Sequence, residues 1–138
     1  MLKTSRLKIS TKGNGDIVDI TNKVREEVEG SGIREGVVFI FCIGSTCCLS
    51  TIENEPRLLD DFRRVIEEVV PRGRGYGHDS VWGEGNAHSH IRSTIIGPSL
   101  FVPISGGRLD IGTWQQIVLI DFDTRPRSRE VVLKIMGE

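Results

Sequence analysis

The run GVVFIFCI, residues 36–43, restricts the possible folds of this chain most strongly. It is continuously apolar, rich in β-branched and aromatic side chains, and far too short to cross a bilayer as a helix. A run of this length and composition is typical of a strand that is buried on both faces. The sequence therefore predicts a strand deep in the core at this position.

Residues 56–70 carry the clearest helical pattern in the sequence. Pro56 suits the first turn of a helix, and Pro71 ends the pattern. Between them apolar residues recur at helical spacing, at Leu58, Phe62, Val65 and Val69. A shorter helix is predicted within residues 19–32, where the pattern closes on two glycines.

The remaining regular segments alternate like strands. They are residues 4–11, 45–54, 99–104, 108–123 with a kink at Gly112, and 129–136. Strands dominate and the helices are inserted in the middle of the chain, without alternating βαβ units. This order predicts an α+β fold with a largely antiparallel sheet in a single domain, residues 1–138.

Composition and charge exclude several classes of function. The net charge of −1 argues against nucleic acid or a membrane surface as the main partner. No apolar run approaches the length of a membrane span, and the first residues lack the apolar core of a signal peptide. The three cysteines, Cys42, Cys47 and Cys48, are odd in number and two of them are adjacent, so they make no disulfide framework. We expect buried thiols in a cytoplasmic protein.

All three histidines, His78, His88 and His90, lie within residues 75–91. A catalytic zinc site takes three such ligands, and His88 and His90 would share one face of a strand. On a helix they would lie about 200° apart and could not share one ion. Asn86 as a cap and Gly97 before Pro98 favour a helix over residues 87–96. Two hypotheses stay open: a divalent metal site, zinc or magnesium, and an acid–base or anion site that uses one or two histidines.

Other candidates lie elsewhere in the chain. Glu53 ends an apolar strand and suits a general base or a metal ligand, whereas the neighbouring carboxylates also suit a helix N-terminus. The glycine-rich residues 72–86 form a predicted loop that could cradle phosphate. Arg72 and Arg74 lie at its start, and a second arginine cluster occurs at Arg125, Arg127 and Arg129.

The segment GTWQQ, residues 112–116, is unusually polar for a predicted strand. Thr113 and Gln115 would share one face, where they could hydrogen-bond a substrate. Trp114 would lie on the other face, either as a further contact or as an anchor in the core. Gly112 indicates a bulge or a close approach of the backbone.

Three segments together resemble the YjbQ-like family, described as secondary thiamine-phosphate synthases. They are GSTCCLSTIENEP at 44–56, YGH with GNAHSHIRSTIIGPS at 76–99, and GRLDIGTWQQIVLIDFDTRPRSR at 107–129. The resemblance implies an α+β fold with a barrel-like antiparallel sheet, a sandwich capped by about three helices, and assembly as a homotrimer.

The resemblance also implies an activity and a set of site residues. The activity transfers an aminopyrimidine group from its diphosphate to a thiazole phosphate and releases pyrophosphate. The implied catalytic residues are His78, His90 and Glu53. A metal site would use His78 and His90, with His88 as a candidate ligand particular to this chain. The implied substrate-binding residues are Asn86, Thr113, Trp114 and Gln115, and we expect Ser45, Thr46 and Arg127 to bind substrate with them.

This chain departs from the family pattern at two positions. Gly44 stands where many relatives have a histidine, and His88 stands where many have an aspartate. We expect an enzyme that binds a phosphorylated small molecule and not nucleic acid or a membrane. The alternative is a non-catalytic trimer that binds a metal ion or an anion.

Overall fold

The structure is a computed structural model that describes residues 1–82 and 85–138, with only the backbone at Trp82. The described strands are β1 (Leu2–Thr11), β2 (Asp16–Asp19), β3 (Gly36–Ile43), β4 (Cys47–Ile52), β5 (Ser99–Ser105), β6 (Arg108–Leu109), β7 (Gln116–Asp121) and β8 (Arg127–Gly137). The described helices are α1 (Thr21–Ser31), α2 (Pro56–Val69), α3 (Gly77–Trp82) and α4 (Ala87–Ile96).

The strands form two antiparallel sheets, in the orders β1-β8-β3-β5-β6 and β2-β7-β4. Together they form a curled, half-barrel arrangement, and the α+β prediction is confirmed. The prediction of about three helices missed α3, which lies inside the glycine-rich residues 72–86 that were expected to be a loop. Among the described residues, no helix is both long and apolar enough to cross a membrane.

Strands β7 and β4 both have apolar residues buried on two faces, and β7 shows this over more of its length. Ile117 and Leu119 belong to the main core with β3, β8 and α1, while Val118 and Ile120 pack in a second core with α2. Residues alternate between faces along a strand, so β7 forms the wall between the two cores. Phe62 and Ile66 of α2 and Ile96 of α4 cover this second core.

Strand β3 has only one buried face, so the prediction that both faces are buried is wrong. Val38, Ile40 and Cys42 are fully buried, but Phe41 is 37% exposed and Ile43 is 47% exposed. Their face carries the outer aromatic patch, which we define as Phe39, Phe41 and Phe101. The rings of Phe39 and Phe101 lie 4.8 Å apart, and Phe101 is 66% exposed. The described part of the chain leaves this apolar patch uncovered.

The predicted long strand over residues 108–123 is interrupted by a turn. β6 ends at Leu109, β7 begins at Gln116, and the backbone N–H of Gln115 donates to the carbonyl of Gly112 across 3.0 Å. Thr113 and Gln115 are therefore not on one face of a strand. Trp114 is 72% exposed, so it is not an anchor in the core of this chain.

Candidate functional site

His78 and His90 are brought together by the packing of α3 against α4. Their rings meet edge to face, with centroids 4.9 Å apart and planes 75° apart, and both side chains are half-buried. Asp79 Oδ1 accepts a hydrogen bond from the Ala87 N–H across 2.9 Å, which ties α3 to the first turn of α4. Asp79 thus caps α4, and Asn86, the predicted cap, makes no side-chain capping bond. The predicted helix over residues 87–96 is confirmed.

Three of the predicted substrate-binding residues converge on one carboxylate, Asp123. Asn86 Nδ2 donates to Asp123 Oδ1 across 3.5 Å, and Thr46 Oγ1 donates to Asp123 Oδ2 across 3.1 Å. The guanidinium of Arg127 lies 2.6 Å from Asp123 Oδ2, and Asp123 is almost fully buried. Asp123 was not among the candidates from the sequence. The signal was present in the alternation Asp121, Phe122, Asp123 at the end of an apolar strand.

A second buried ion pair lies beside the first. Arg129 binds Asp121 through two parallel hydrogen bonds of 2.7 and 2.9 Å, and Arg129 Nη2 also donates to Thr46 Oγ1 across 2.6 Å. Thr11 Oγ1 donates to Asp121 Oδ2 across 2.5 Å. We call Thr46, Asp121, Asp123, Arg127 and Arg129 the carboxylate–arginine network. Because Arg129 and both aspartates are buried, this network fixes the start of β4 and the end of β7.

The network keeps both aspartates ionised. Burial alone would raise the pKa of Asp123, but the Thr124 N–H and the Arg127 guanidinium outweigh burial and lower the pKa to about 2. Burial opposes ionisation of Asp121 too, and the hydrogen bonds from Arg129 and Thr11 lower its pKa. The negative charge of the pair therefore persists well into acid.

Acid should destabilise the protein through Asp123. Because the folded-state pKa of Asp123 is depressed, its contribution to stability is present above the pKa of the unfolded chain and is lost as the pH falls toward 2. The free energy of unfolding should fall by about 2 kcal/mol more in the wild type than in Asp123→Asn between pH 5 and pH 2. Denaturant titrations over this pH range measure the difference. Parallel pH curves for the two proteins would contradict the assignment.

Gly44 makes room for the network. A Cβ atom at this position would lie 2.9 Å from Arg129 Nη1 and 2.9 Å from Cys47 Sγ. A histidine at this position would therefore have to displace Arg129 or Cys47. Ser45, the next predicted substrate-binding residue, is exposed.

The three cysteines are buried and free among the described residues, as the sequence predicted. Burial raises the pKa of the Cys48 thiol. The hydrogen bond between Cys42 and Cys47 raises the pKa of Cys42 and lowers that of Cys47, to which the Arg129 charge also contributes. We assign all three to the core.

His88 is separated from the histidine pair. It is fully buried on another side of α4, and burial, together with the charges of Arg92 and Arg72, lowers its pKa. Residues 1–82 and 85–138 contain no group of three histidine, cysteine, aspartate or glutamate side chains that could hold a metal ion. The predicted ligand set of His78, His88 and His90 is not assembled within one chain.

The remaining predicted residues surround the turn before β7. Gln115 Oε1 accepts from the Gly112 N–H across 3.0 Å, and Gln115 Nε2 donates to Thr51 Oγ1 of β4 across 3.2 Å. Thr113 lines a cavity of about 400 Å³ together with Arg25 and Arg108. Glu53 is exposed just beyond the end of β4.

The two groups of predicted residues lie at opposite ends of the β4–β7 pair. Cys47 pairs with Asp121 at the end nearest the carboxylate–arginine network, and Ile52 pairs with Gln116 at the other end. Five residues of extended strand span about 17 Å. One chain therefore does not bring Glu53, Thr113 and Gln115 to His78 and His90.

The fold defines a class of small α+β proteins with solved members. A hypothetical protein from Aeropyrum pernix K1 is 34% identical, covers 99% of each chain and superposes with a TM-score of 0.92. A YbjQ-like protein of unknown function from Sulfolobus solfataricus P2 is 32% identical, covers 100% of each chain and has a TM-score of 0.90.

The chain belongs to the UPF0047 YjbQ-like family, whose pattern matches residues 5–138. A UPF0047 protein from Methanothermobacter thermautotrophicus is 37% identical over 135 residues, covering 98% of this chain and 92% of the relative. One from Archaeoglobus fulgidus is 38% identical over 130 residues, covering 94% of this chain and 98% of the relative. The names of these relatives assign no activity.

Proposed function

We propose that the protein is a transferase resembling thiamine-phosphate synthases, with a site centred on the His78–His90 pair. The observation that carries the proposal is the contact between two half-buried imidazoles, at a helix whose preceding residue, Asn86, is joined through Asp123 to the partly exposed Arg127. Histidine is the side chain best suited to exchange protons near neutral pH, and arginine binds phosphate oxygens. The arrangement suits a substrate that carries phosphate.

The reaction would form one bond and break one. The thiazole nitrogen attacks the methylene carbon of the aminopyrimidine, and the carbon–oxygen bond to the diphosphate breaks with its electron pair on oxygen. Negative charge grows on the leaving diphosphate, so groups that donate hydrogen bonds or positive charge to it lower the barrier. His78 or His90 would donate a proton to a diphosphate oxygen, and Arg127 would bind a second oxygen.

A homotrimer would complete this site. In a cyclic trimer each interface joins two different patches, so one end of a subunit faces the other end of its neighbour. Glu53, Thr113 and Gln115 of one subunit could then face the histidine pair of the next, although the two groups lie about 17 Å apart within one chain. Glu53 would orient an imidazole, and Thr113, Trp114 and Gln115 would contact the substrate.

The outer aromatic patch supports the same assembly. Phe39, Phe41 and Phe101 form a cluster of rings on the face of β3 and β5 that the described chain leaves exposed. Clustered exposed aromatic side chains are typical of protein–protein contacts. We propose a second copy of the chain as the partner, and analytical ultracentrifugation measures the assembly.

The proposed steps use no metal ion, because the described residues of one chain supply only two neighbouring imidazoles. Zinc or magnesium would need at least one further ligand, which could come from Glu53 of a neighbouring subunit. The metal content of the purified wild-type protein and of the His78→Ala variant measures metal binding independently of turnover.

Turnover tests the proposed function. The purified protein is incubated with aminopyrimidine diphosphate and thiazole phosphate, and thiamine phosphate and pyrophosphate are quantified separately. Equal formation of both products supports the transferase. If neither forms while both compounds bind, the transferase assignment is overturned and the non-catalytic alternative, an anion-binding trimer, is favoured.

A further inference from the structure

A second cavity lies behind α4, away from the histidine pair. It has a volume of about 170 Å³ and lies between the β1–β2 turn, α2 and α4. Three arginines line it, Arg63, Arg72 and Arg92, together with one carboxylate, Glu67. The lining therefore carries an excess of positive charge, in a space of the size of a small ion.

Arg92 is buried but not fully used by the protein. Its side chain is only 8% exposed, and its Nε and Nη2 donate to the carbonyl of Val70 across 2.9 and 2.8 Å. Nη2 also pairs with Glu67. Among the described residues, Nη1 of Arg92 has no acceptor. Nη1 is not enclosed by protein, so a guanidinium group held in place by Val70 and Glu67 can still donate from Nη1 to an anion in the cavity.

The other two arginines are held in place at the cavity. Arg72 Nη1 donates to Asn14 Oδ1 across 3.2 Å, and its backbone N–H donates to Glu67 across 3.3 Å. Arg63 Nε donates to the carbonyl of Gly15 across 2.8 Å, and Nη1 pairs with Asp60. Both side chains are thus positioned before any ligand arrives, which lowers the entropic cost of binding.

His88 adds a hydrogen-bond acceptor. Ser89 Oγ uses its one proton to donate to the carbonyl of Phe122. Ser89 Oγ also lies 3.4 Å from His88 Nε2, and in that contact the hydroxyl can only accept. The ring proton of His88 therefore lies on Nε2. Nδ1 is then a lone-pair acceptor, and it is buried with no partner among the described residues. His88 is one of the residues that line the cavity.

We propose that this cavity is a binding site for a phosphate group that keeps one protonated oxygen. The arginines would bind its charged oxygens, and its P–OH would donate to Nδ1 of His88. Sulfate has the same size but no proton at neutral pH, so it leaves Nδ1 without a donor. The site is independent of the proposed transferase function.

Calorimetric titration of the full chain at pH 8 and constant ionic strength tests the site, with inorganic phosphate, methyl phosphate and sulfate as probes. Arg72→Ala removes an exposed lining residue, and Arg74→Ala removes an exposed arginine two positions away, outside the lining. At pH 8 inorganic phosphate keeps one protonated oxygen, whereas methyl phosphate, with a second pKa of about 6, and sulfate have none. Inorganic phosphate should therefore bind more tightly than both methyl phosphate and sulfate. Arg72→Ala should weaken phosphate binding about tenfold or more, and Arg74→Ala by less than about twofold.

His90→Ala separates this site from the transferase site, because it should leave phosphate affinity unchanged. The ring ¹⁵N resonances of His88 should shift when phosphate is added. The site is overturned if inorganic phosphate does not bind, or if Arg72→Ala and Arg74→Ala have equal effects. Equal affinity for sulfate and phosphate would overturn the role given to His88.

Discussion

Replacing Arg129 with alanine is expected to lower the free energy of unfolding by about 3–5 kcal/mol. Arg129 is 8% exposed, and it binds the fully buried Asp121 through two hydrogen bonds. The substitution leaves the Asp121 carboxylate buried with only Thr11 and a backbone N–H to stabilise its charge. Denaturant-induced unfolding measures the loss.

The next residue of β8 provides a matched control. Glu130 pairs with Arg6 across 3.0 Å, but the two side chains are 40% and 56% exposed. Exposed pairs of this kind contribute about 0–1 kcal/mol, so Glu130→Ala should have little effect. Equal losses in the two variants would show that the buried network does not hold the start of β4 and the end of β7 together.

Replacing His90 with alanine is expected to lower turnover by about 10²–10⁴-fold, the usual contribution of a positioned acid or base. His90 is half-buried and its contact is with the ring of His78, so the fold should be retained. Thiamine-phosphate formation under saturating substrate measures the effect, with the melting temperature recorded for each variant.

Ile91→Ala is the matched control, since Ile91 follows His90 in α4 and lies about 100° further around the helix. Ile91 is 36% exposed, so its truncation should leave turnover close to the wild-type rate. If His90→Ala turns over at the wild-type rate, the histidine pair takes no part in the mechanism.

The local pattern of the sequence was sufficient to predict the long helices and most of the strands. The apolar spacing from Leu58 onward and the caps around residues 86–97 predicted α2 and α4, because these signals depend on neighbours in the chain. The same caps separated His88 from His90 correctly. The short helix α3 was not predicted because glycines surround it. Its stability comes from packing and from the hydrogen bond between Asp79 and α4.

Features set by distant residues could not be predicted. A strand that its own chain covers on both faces has the same apolar sequence as a strand with one exposed apolar face. The apolar run in β3 therefore could not show that one of its faces is exposed. Asp121 and Asp123 became candidates only when the fold brought Thr46, Arg127 and Arg129 to them. The register of β4 against β7 places Glu53 far from the histidines, and register depends on the whole sheet.

The proposed site needs residues from two subunits, and subunit mixing tests this requirement most directly. His90→Ala and Glu53→Ala proteins, each inactive alone, are unfolded and refolded together in equal amounts, and native mass spectrometry confirms mixed trimers. A cyclic trimer that contains both variants keeps one interface at which His90 and Glu53 are both wild type. When the subunits mix at random, about a quarter of all interfaces are of this kind, so about a quarter of wild-type turnover should return. Mixed trimers that stay inactive would contradict the shared site.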